Sequence, residues 1–165
     1  MRIYSLTFCW FVFSKYTTHA SGLCELSEAL VSSGTKHTRT VVVGDVHGSA
    51  QGLREILTAA NVIISDEECK WQDFGPGQGV RVIQLGDVVD RGPASKEAWD
   101  CLESLQLSAP SGSSVVRLIG NHEIFWLQGN FKMRNYTTDT REIIMPLMQR
   151  IHNDIATGRV LAAYA

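Results

Sequence analysis

Val41-Val42-Val43-Gly44-Asp45-Val46-His47-Gly48 is the stretch that decides the fold. Its β-branched run shows no alternation, which predicts a strand covered on both faces. The glycines flanking Asp45 and His47 let the chain turn sharply where the strand ends. From Ser49 the period changes: Leu53, Ile56, Leu57 and Ala60 fall at i, i+3, i+4 and i+7, so a helix follows. The same succession then recurs. Val80 to Leu85 runs into Gly86-Asp87-Val88-Val89-Asp90-Arg91-Gly92, with Pro93 suited to the first turn of a helix whose apolar face is Ala98, Cys101, Leu102 and Leu105. Val115 to Ile119 runs into Gly120-Asn121-His122-Glu123 and a short helix marked by Ile124, Trp126 and Leu127. Repeated strand, glycine turn and helix predict an α/β sheet of parallel strands joined by right-handed crossovers. Ligands bind such sheets beyond the carboxyl ends of the strands, where all of these turns fall.

Outward from this frame the chain is less regular. Asn61 to Gly79 reads as a loop, acidic at Asp66 to Glu68 and glycine-rich at its end, with a short extra strand around Cys69 to Phe74. Ile143, Ile144, Leu147, Met148, Ile151 and Ile155 mark another amphipathic helix, with Pro146 either in its first turn or kinking it. Val160 to Tyr164 begins a further strand. On the amino-terminal side, residues 1–36 form a separate segment with a short helix at Glu25 to Val31. Within it, Met1 to Phe13 is an apolar stretch too short to span a bilayer as a helix. It has the length of a signal-peptide core, with Ala20, Ser21 and Gly22 as a cleavage region within residues 1–22; the alternative is a buried segment.

With 165 residues, 44% of them hydrophobic, the chain can bury a real core as one domain. Fifteen basic residues against 17 acidic ones leave a net charge of −2, which supplies no electrostatic footprint for nucleic acid or an anionic membrane. Cys9, Cys24, Cys69 and Cys101 are scattered without a C-x-x-C pair, so they suggest neither a zinc knuckle nor a disulfide scaffold. That favours a reduced, cytoplasmic setting, while their even number leaves pairing open.

The turns carry metal-site chemistry. Asp45 and His47 alternate around Val46 and can face the same side of their turn. Asp87 arrives at the next strand end, where its two oxygens can bridge two cations, and Asn121 adds an amide oxygen. Imidazole, carboxylate and amide donors suit Fe, Mn or Zn. Two such ions about 3.5 to 4 Å apart activate a bridging water and clamp phosphoryl oxygens during in-line attack. Arg91 is placed to hold phosphate oxygens as a fork. His122 is a candidate general acid, with Asp90 as the acceptor of its other ring proton. Singly, His19, His37 and His152 read as solvated or helix-surface residues, and Trp71, Trp99 and Trp126 as packing residues more than as substrate contacts.

Taken together, GD-x-HG, GD-x-VDRG and GNHE, over about Val41 to Asn135, resemble the signature of the phosphoprotein phosphatase branch of the calcineurin-like metallophosphoesterases. The run GNHEIFWLQG from Gly120 to Gly129, followed by Met133-Arg134, looks most like the bacterial-type, Shewanella-like phosphatases. The resemblance implies a four-layer α-β-β-α sandwich, with residues 37–165 as its amino-terminal part and the second sheet largely missing. It implies Asp45 and His47 on a first metal, Asp87 bridging, Asn121 on a second, Arg91 as a phosphate clamp, and Asp90 paired with the acid His122. It further implies hydrolysis of phosphomonoesters, foremost protein phosphoserine or phosphothreonine, by direct attack of a metal-bridging hydroxide. Family members carry two more metal-binding histidines and a second phosphate arginine in later motifs. None of these follows here, which leaves a catalytically inactive fragment or pseudo-phosphatase as one alternative and a nucleotide or dinucleoside polyphosphate hydrolase as another.

Overall fold

The computed structural model describes residues 39–129 and 139–162. The amino-terminal segment, its expected helix at Glu25 to Val31 and Arg134 lie outside them. Strand β1 (Arg39–Val43) leads through the first glycine turn to helix α1 (Ala50–Ala59). Strand β2 (Val80–Gln84) leads to α2 (Ser95–Leu107), and β3 (Ser114–Ile119) to the short α3 (Asn121–Leu127). Helix α4 (Arg141–Ala156) and strand β4 (Val160–Ala162) complete the order. The strands form one parallel sheet in the order β1-β2-β3-β4. This is the α/β architecture expected from the alternation of periods.

Register explains which residues make the core. Val43 pairs with Gln84, Gln84 with Arg117, and Arg117 with Val160, and all four are buried beneath the helices. Val82 and Val115 lie in the neighbouring row on the same face. Against these rows pack Leu53 and Leu57 of α1, Trp99, Leu102 and Leu105 of α2, and Ile144, Leu147 and Ile151 of α4, each at most 2% exposed. Full burial of one such side chain contributes about 1.5–3 kcal/mol. The opposite face is only partly covered among the described residues: Val42, expected to be covered on both sides, is 57% exposed, while Ile83, Val116 and Leu118 are half-buried. Crossovers of one hand, all running in one direction along the sheet, deliver every helix to the same face.

Local departures have local causes. Helix α2 starts at Ser95, beyond Pro93, because Ala94 N–H donates to Gly48 O (3.0 Å) and Ser95 Oγ accepts from Asp90 N–H (3.0 Å), so both are tied to the turns. Pro146 lies inside α4, past its first turn. The extra strand expected at Cys69 to Phe74 reduces to a single antiparallel bridge between Ile63 and Trp71, whose indole N–H donates to Leu105 O (2.9 Å). Beside it Cys69 and Cys101 form a disulfide across 32 positions, one of the pairings that the cysteine count left open.

Where β3 meets the start of β4 lies a buried ionic cluster. Asp154 Oδ2 accepts from Arg117 Nη2 and from the Trp99 indole, both at 3.0 Å, and Oδ1 accepts from Arg159 Nε at 2.9 Å. Arg117 also donates to Gln106 Oε1 and stacks 5.0 Å from the Trp99 ring. Burial depresses the Arg117 pKa from its ordinary value, and Asp154 works against that shift. Among the described residues no helix is long and apolar enough to cross a membrane.

Candidate metal centre

The turns after β1 and β2 are zipped together through their backbones. Val46 and His47 N–H both donate to Asp87 O (3.0 and 2.9 Å), Gly48 N–H donates to Val88 O (2.8 Å), and Gly92 N–H returns to His47 O (2.8 Å). Such contact leaves no room for side chains at the crossing points. A Cβ on Gly92 would stand 2.4 Å from His47 O, and one on Gly120 would stand 2.1 Å from Asp87 Oδ1. The turns are also strained: His47, Asp87, Asp90 and Arg91 have φ of 49°, 54°, 75° and 67°. Each such residue costs about 1–3 kcal/mol and persists only where its surroundings over-determine it.

Those surroundings are polar and buried. Gln84 grips Gly86 from both sides, donating to its carbonyl (2.6 Å) and accepting from its N–H (3.0 Å). Glu123, the third residue of α3 and fully buried, reaches back to both turns. Its Oε1 accepts from Val88 and Val89 N–H (2.8 and 3.0 Å), and its Oε2 from Asp87 and Gly120 N–H (2.9 and 2.8 Å). Burial pushes the Glu123 carboxyl above its ordinary pKa, while the N–H donors pull the other way. Asp87 Oδ1 accepts from His122 N–H at the start of α3 (2.8 Å). The three turns therefore form one unit.

On this frame the side chains converge. Donor atoms of His47, Asp87 and His122 all lie within 4.8 Å of one another. His122 Nδ1 is 2.9 Å from Asp90 Oδ2, with both residues buried, and its Nε2 is 3.3 Å from Arg91 Nη2. Because Asp90 accepts at Nδ1, that nitrogen carries the proton and Nε2 receives the Arg91 N–H. His47 Nδ1–H donates to Val89 O (3.4 Å), and its ring packs edge-on against His122 with centroids 4.6 Å apart. Asp45 lies outward, 64% exposed, its carboxylate 3.6 Å from His47 Nε2. Asn121 opens α3 with an exposed side chain, immediately before His122. His152 is exposed on α4 and remote from the turns in sequence and element.

The His47 imidazole and the Asp87 carboxylate at this spacing, with an aspartate and an amide at the rim, fit a transition metal of borderline softness, and the set does not choose among Mn, Fe and Zn. Glu123, Gln84 and Ser95 were not singled out in the sequence as functional. For Glu123 a signal existed: an acid three residues after a glycine at a helix start is half of a capping box.

Parallel strands that deliver histidine and aspartate donors, a buried His–Asp pair and an arginine to one edge define a metallophosphoesterase-type site. The calcineurin-like phosphoesterase family model matches residues 38–163, and the chain belongs to that family. It is 34% identical to Shewanella-like protein phosphatase 2 of Arabidopsis thaliana over 64% of this chain and 26% of the relative. It is 32% identical to serine/threonine-protein phosphatase SIT4 of Candida albicans over 61% of this chain and 30% of that protein. Among solved structures, the cold-active protein-tyrosine phosphatase of a psychrophilic Shewanella superposes with a TM-score of 0.51 at 29% identity, over 67% of this chain and 31% of that one. The chain thus spans between a quarter and a third of the length of these relatives. The Shewanella-like character read from the Gly120 motif is matched among them.

Proposed function

We propose that this chain carries the amino-terminal half of the active site of a metal-dependent phosphoesterase acting on protein phosphomonoesters, with phosphoserine and phosphothreonine as its substrates. The observation that carries this reading is the convergence of His47, Asp87 and His122 donor atoms within 4.8 Å, beside an arginine. Asp45, His47, Asp87 and Asn121 would hold the metal. When bound there, a cation polarises phosphoryl oxygens and lowers the pKa of water.

The chain's own groups account for the remaining chemistry. Arg91, exposed at the tip of its turn, offers its guanidinium to phosphate oxygens as a fork. In the present structure that guanidinium occupies His122 Nε2. A phosphate that draws Arg91 away frees Nε2 to carry the proton the leaving oxygen needs, while Asp90 keeps the ring oriented through Nδ1. His122 is thus assigned as the acid, although its ring nitrogens also lie within reach of a shared cation. The serine/threonine preference rests on the intact Val89-Asp90-Arg91-Gly92 motif and on the similarity to SIT4.

Calorimetry with Mn²⁺, followed by a panel of phosphoserine, phosphothreonine and phosphotyrosine peptides and dinucleoside polyphosphates, tests the reading. Asp87→Asn should abolish Mn²⁺ binding while preserving the bond to His122 N–H and the fold. His122→Ala should retain Mn²⁺ and lose turnover. A wild-type chain that binds no Mn²⁺ overturns the metal assignment. Turnover confined to nucleotides overturns the substrate class.

A further inference from the structure

We propose that Glu123 is a positioning residue: by collecting four backbone N–H groups onto one carboxylate it holds Asp87, through the turn from Asp87 to Val89, in the geometry that receives the cation. This rests on the metal reading above and adds a residue that touches neither cation nor substrate. A carboxylate offers about four lone-pair sites, and here all four are filled by Asp87, Val88, Val89 and Gly120 N–H. Three of the donors are consecutive, so their N–H vectors meet at one point only if the backbone curls, as in an anion-binding nest. Asp87, the first of these donors, has φ of 54°, and Asp90, the residue just beyond the last, has φ of 75° with its own N–H held by Ser95 Oγ. The fourth donor belongs to the end of β3, so the same carboxylate also sets the distance between the second and third turns.

Glu123 is 0% exposed, and among the described residues no salt bridge reaches it. Burying an uncompensated carboxylate is costly, and ordinary helix capping needs neither such burial nor three donors from another strand's turn. The arrangement therefore fits a group that offsets strain in the turn rather than one that only terminates a helix. Partners that orient metal ligands from behind typically change metal affinity 10–100-fold when altered.

The test uses the whole 165-residue chain and Mn²⁺ alone. Glu123→Gln sets an amide NH₂ against two of the N–H donors and should weaken Mn²⁺ binding about 10–100-fold. Glu123→Asp keeps the charge but shortens the reach, and should fall between that variant and wild type. A variant of the ionic cluster, Asp154→Ala, serves as a control that lowers thermal stability and leaves Mn²⁺ affinity unchanged. In the wild-type chain, amide exchange at Asp87, Val88, Val89 and Gly120 should be slow despite their position in turns. Wild-type Mn²⁺ affinity in both Glu123 variants overturns the assignment. So does rapid exchange at those amides, a measurement that stands even if Glu123→Gln does not fold. A wild-type chain that fails to bind Mn²⁺ instead overturns the metal reading itself, so the two failures are told apart.

Discussion

Two polar clusters are buried along the same sheet, with Gln84 of one and Arg117 of the other paired in register, and they are built on opposite principles. Where β3 meets the start of β4, Arg117, Asp154, Trp99 and Arg159 satisfy one another side chain to side chain. At the glycine turns, Glu123 and Gln84 direct their hydrogen bonds to backbone, and the backbone they hold has positive φ at Gly86 and Asp87. The first cluster joins elements. The second stores strain in order to present His47, Asp87 and His122 toward a common point. Buried polarity therefore marks function here only where it serves an irregular backbone, and the strongest way to test that distinction is to damage each cluster separately.

The largest effect should come from Asp154→Ala. It leaves the Arg117 guanidinium buried at 1% exposure without its anion and removes the acceptor of the Trp99 indole. Breaking a buried pair in this way costs about 3–5 kcal/mol, seen as a lowered urea midpoint. Mn²⁺ affinity measured well below that midpoint should not move. A parallel loss of metal affinity would show that the two clusters are coupled and that the distinction drawn above is wrong.

Next in size is the disulfide. Cys69 and Cys101 join the loop before β2 to α2, and neither segment contributes a donor atom to the His47–Asp87–His122 set. Closing a loop of this length stabilises a fold by about 2–4 kcal/mol, mainly by restricting the unfolded chain. Cys69→Ser with Cys101→Ser should lower the melting temperature accordingly and leave Mn²⁺ binding intact. A double variant as stable as wild type would show that the bond does not persist in solution.

The two clusters also differ in how readable they are. The three turns are local signals, since glycine, aspartate, histidine and aspartate-arginine spacings stand next to aliphatic runs and need no knowledge of what lies across the sheet. What is not local was missed. Glu123 acts on residues 34 to 36 positions away, and nothing in its immediate neighbourhood says which N–H groups it will meet. Arg117 sits in a strand whose neighbours are Val115, Val116, Leu118 and Ile119, and its partner Asp154 is 37 positions distant. Yet Asp154 falls at i+7 from Leu147 and i+3 from Ile151, on the apolar face of α4, and an acid at a core position of a helix is a legible demand for a buried cation. The exposure of Val42 was not legible in its own run, because β-branched runs report strand preference more directly than coverage.

The smallest effect concerns a pair that belongs to neither cluster. Asp100 on α2 is 2.5 Å from Lys96 Nζ and 2.6 Å from Arg150 Nη1 of α4, and Arg150 also meets Glu103. Partial burial works to raise the Asp100 pKa, but hydrogen bonds and charge from Lys96 and Arg150 outweigh it, and the net value lies below the ordinary 3.8. With the folded-state pKa depressed, protons bind the unfolded chain more readily. The contribution is therefore complete above about pH 4 and is lost as pH falls through the folded value. Because the side chains of Asp100 and Arg150 are 38% and 34% exposed, salt screens them, and the stabilisation should stay below about 1 kcal/mol. Melting curves of wild type and Asp100→Asn between roughly pH 3 and 5 should converge at the acid end and separate slightly above pH 4. High salt should narrow the gap. A gap of several kcal/mol would mean that this rim pair behaves like the buried Arg117–Asp154 pair, and that exposure is not what separates the strong ionic contacts of this fold from the weak ones.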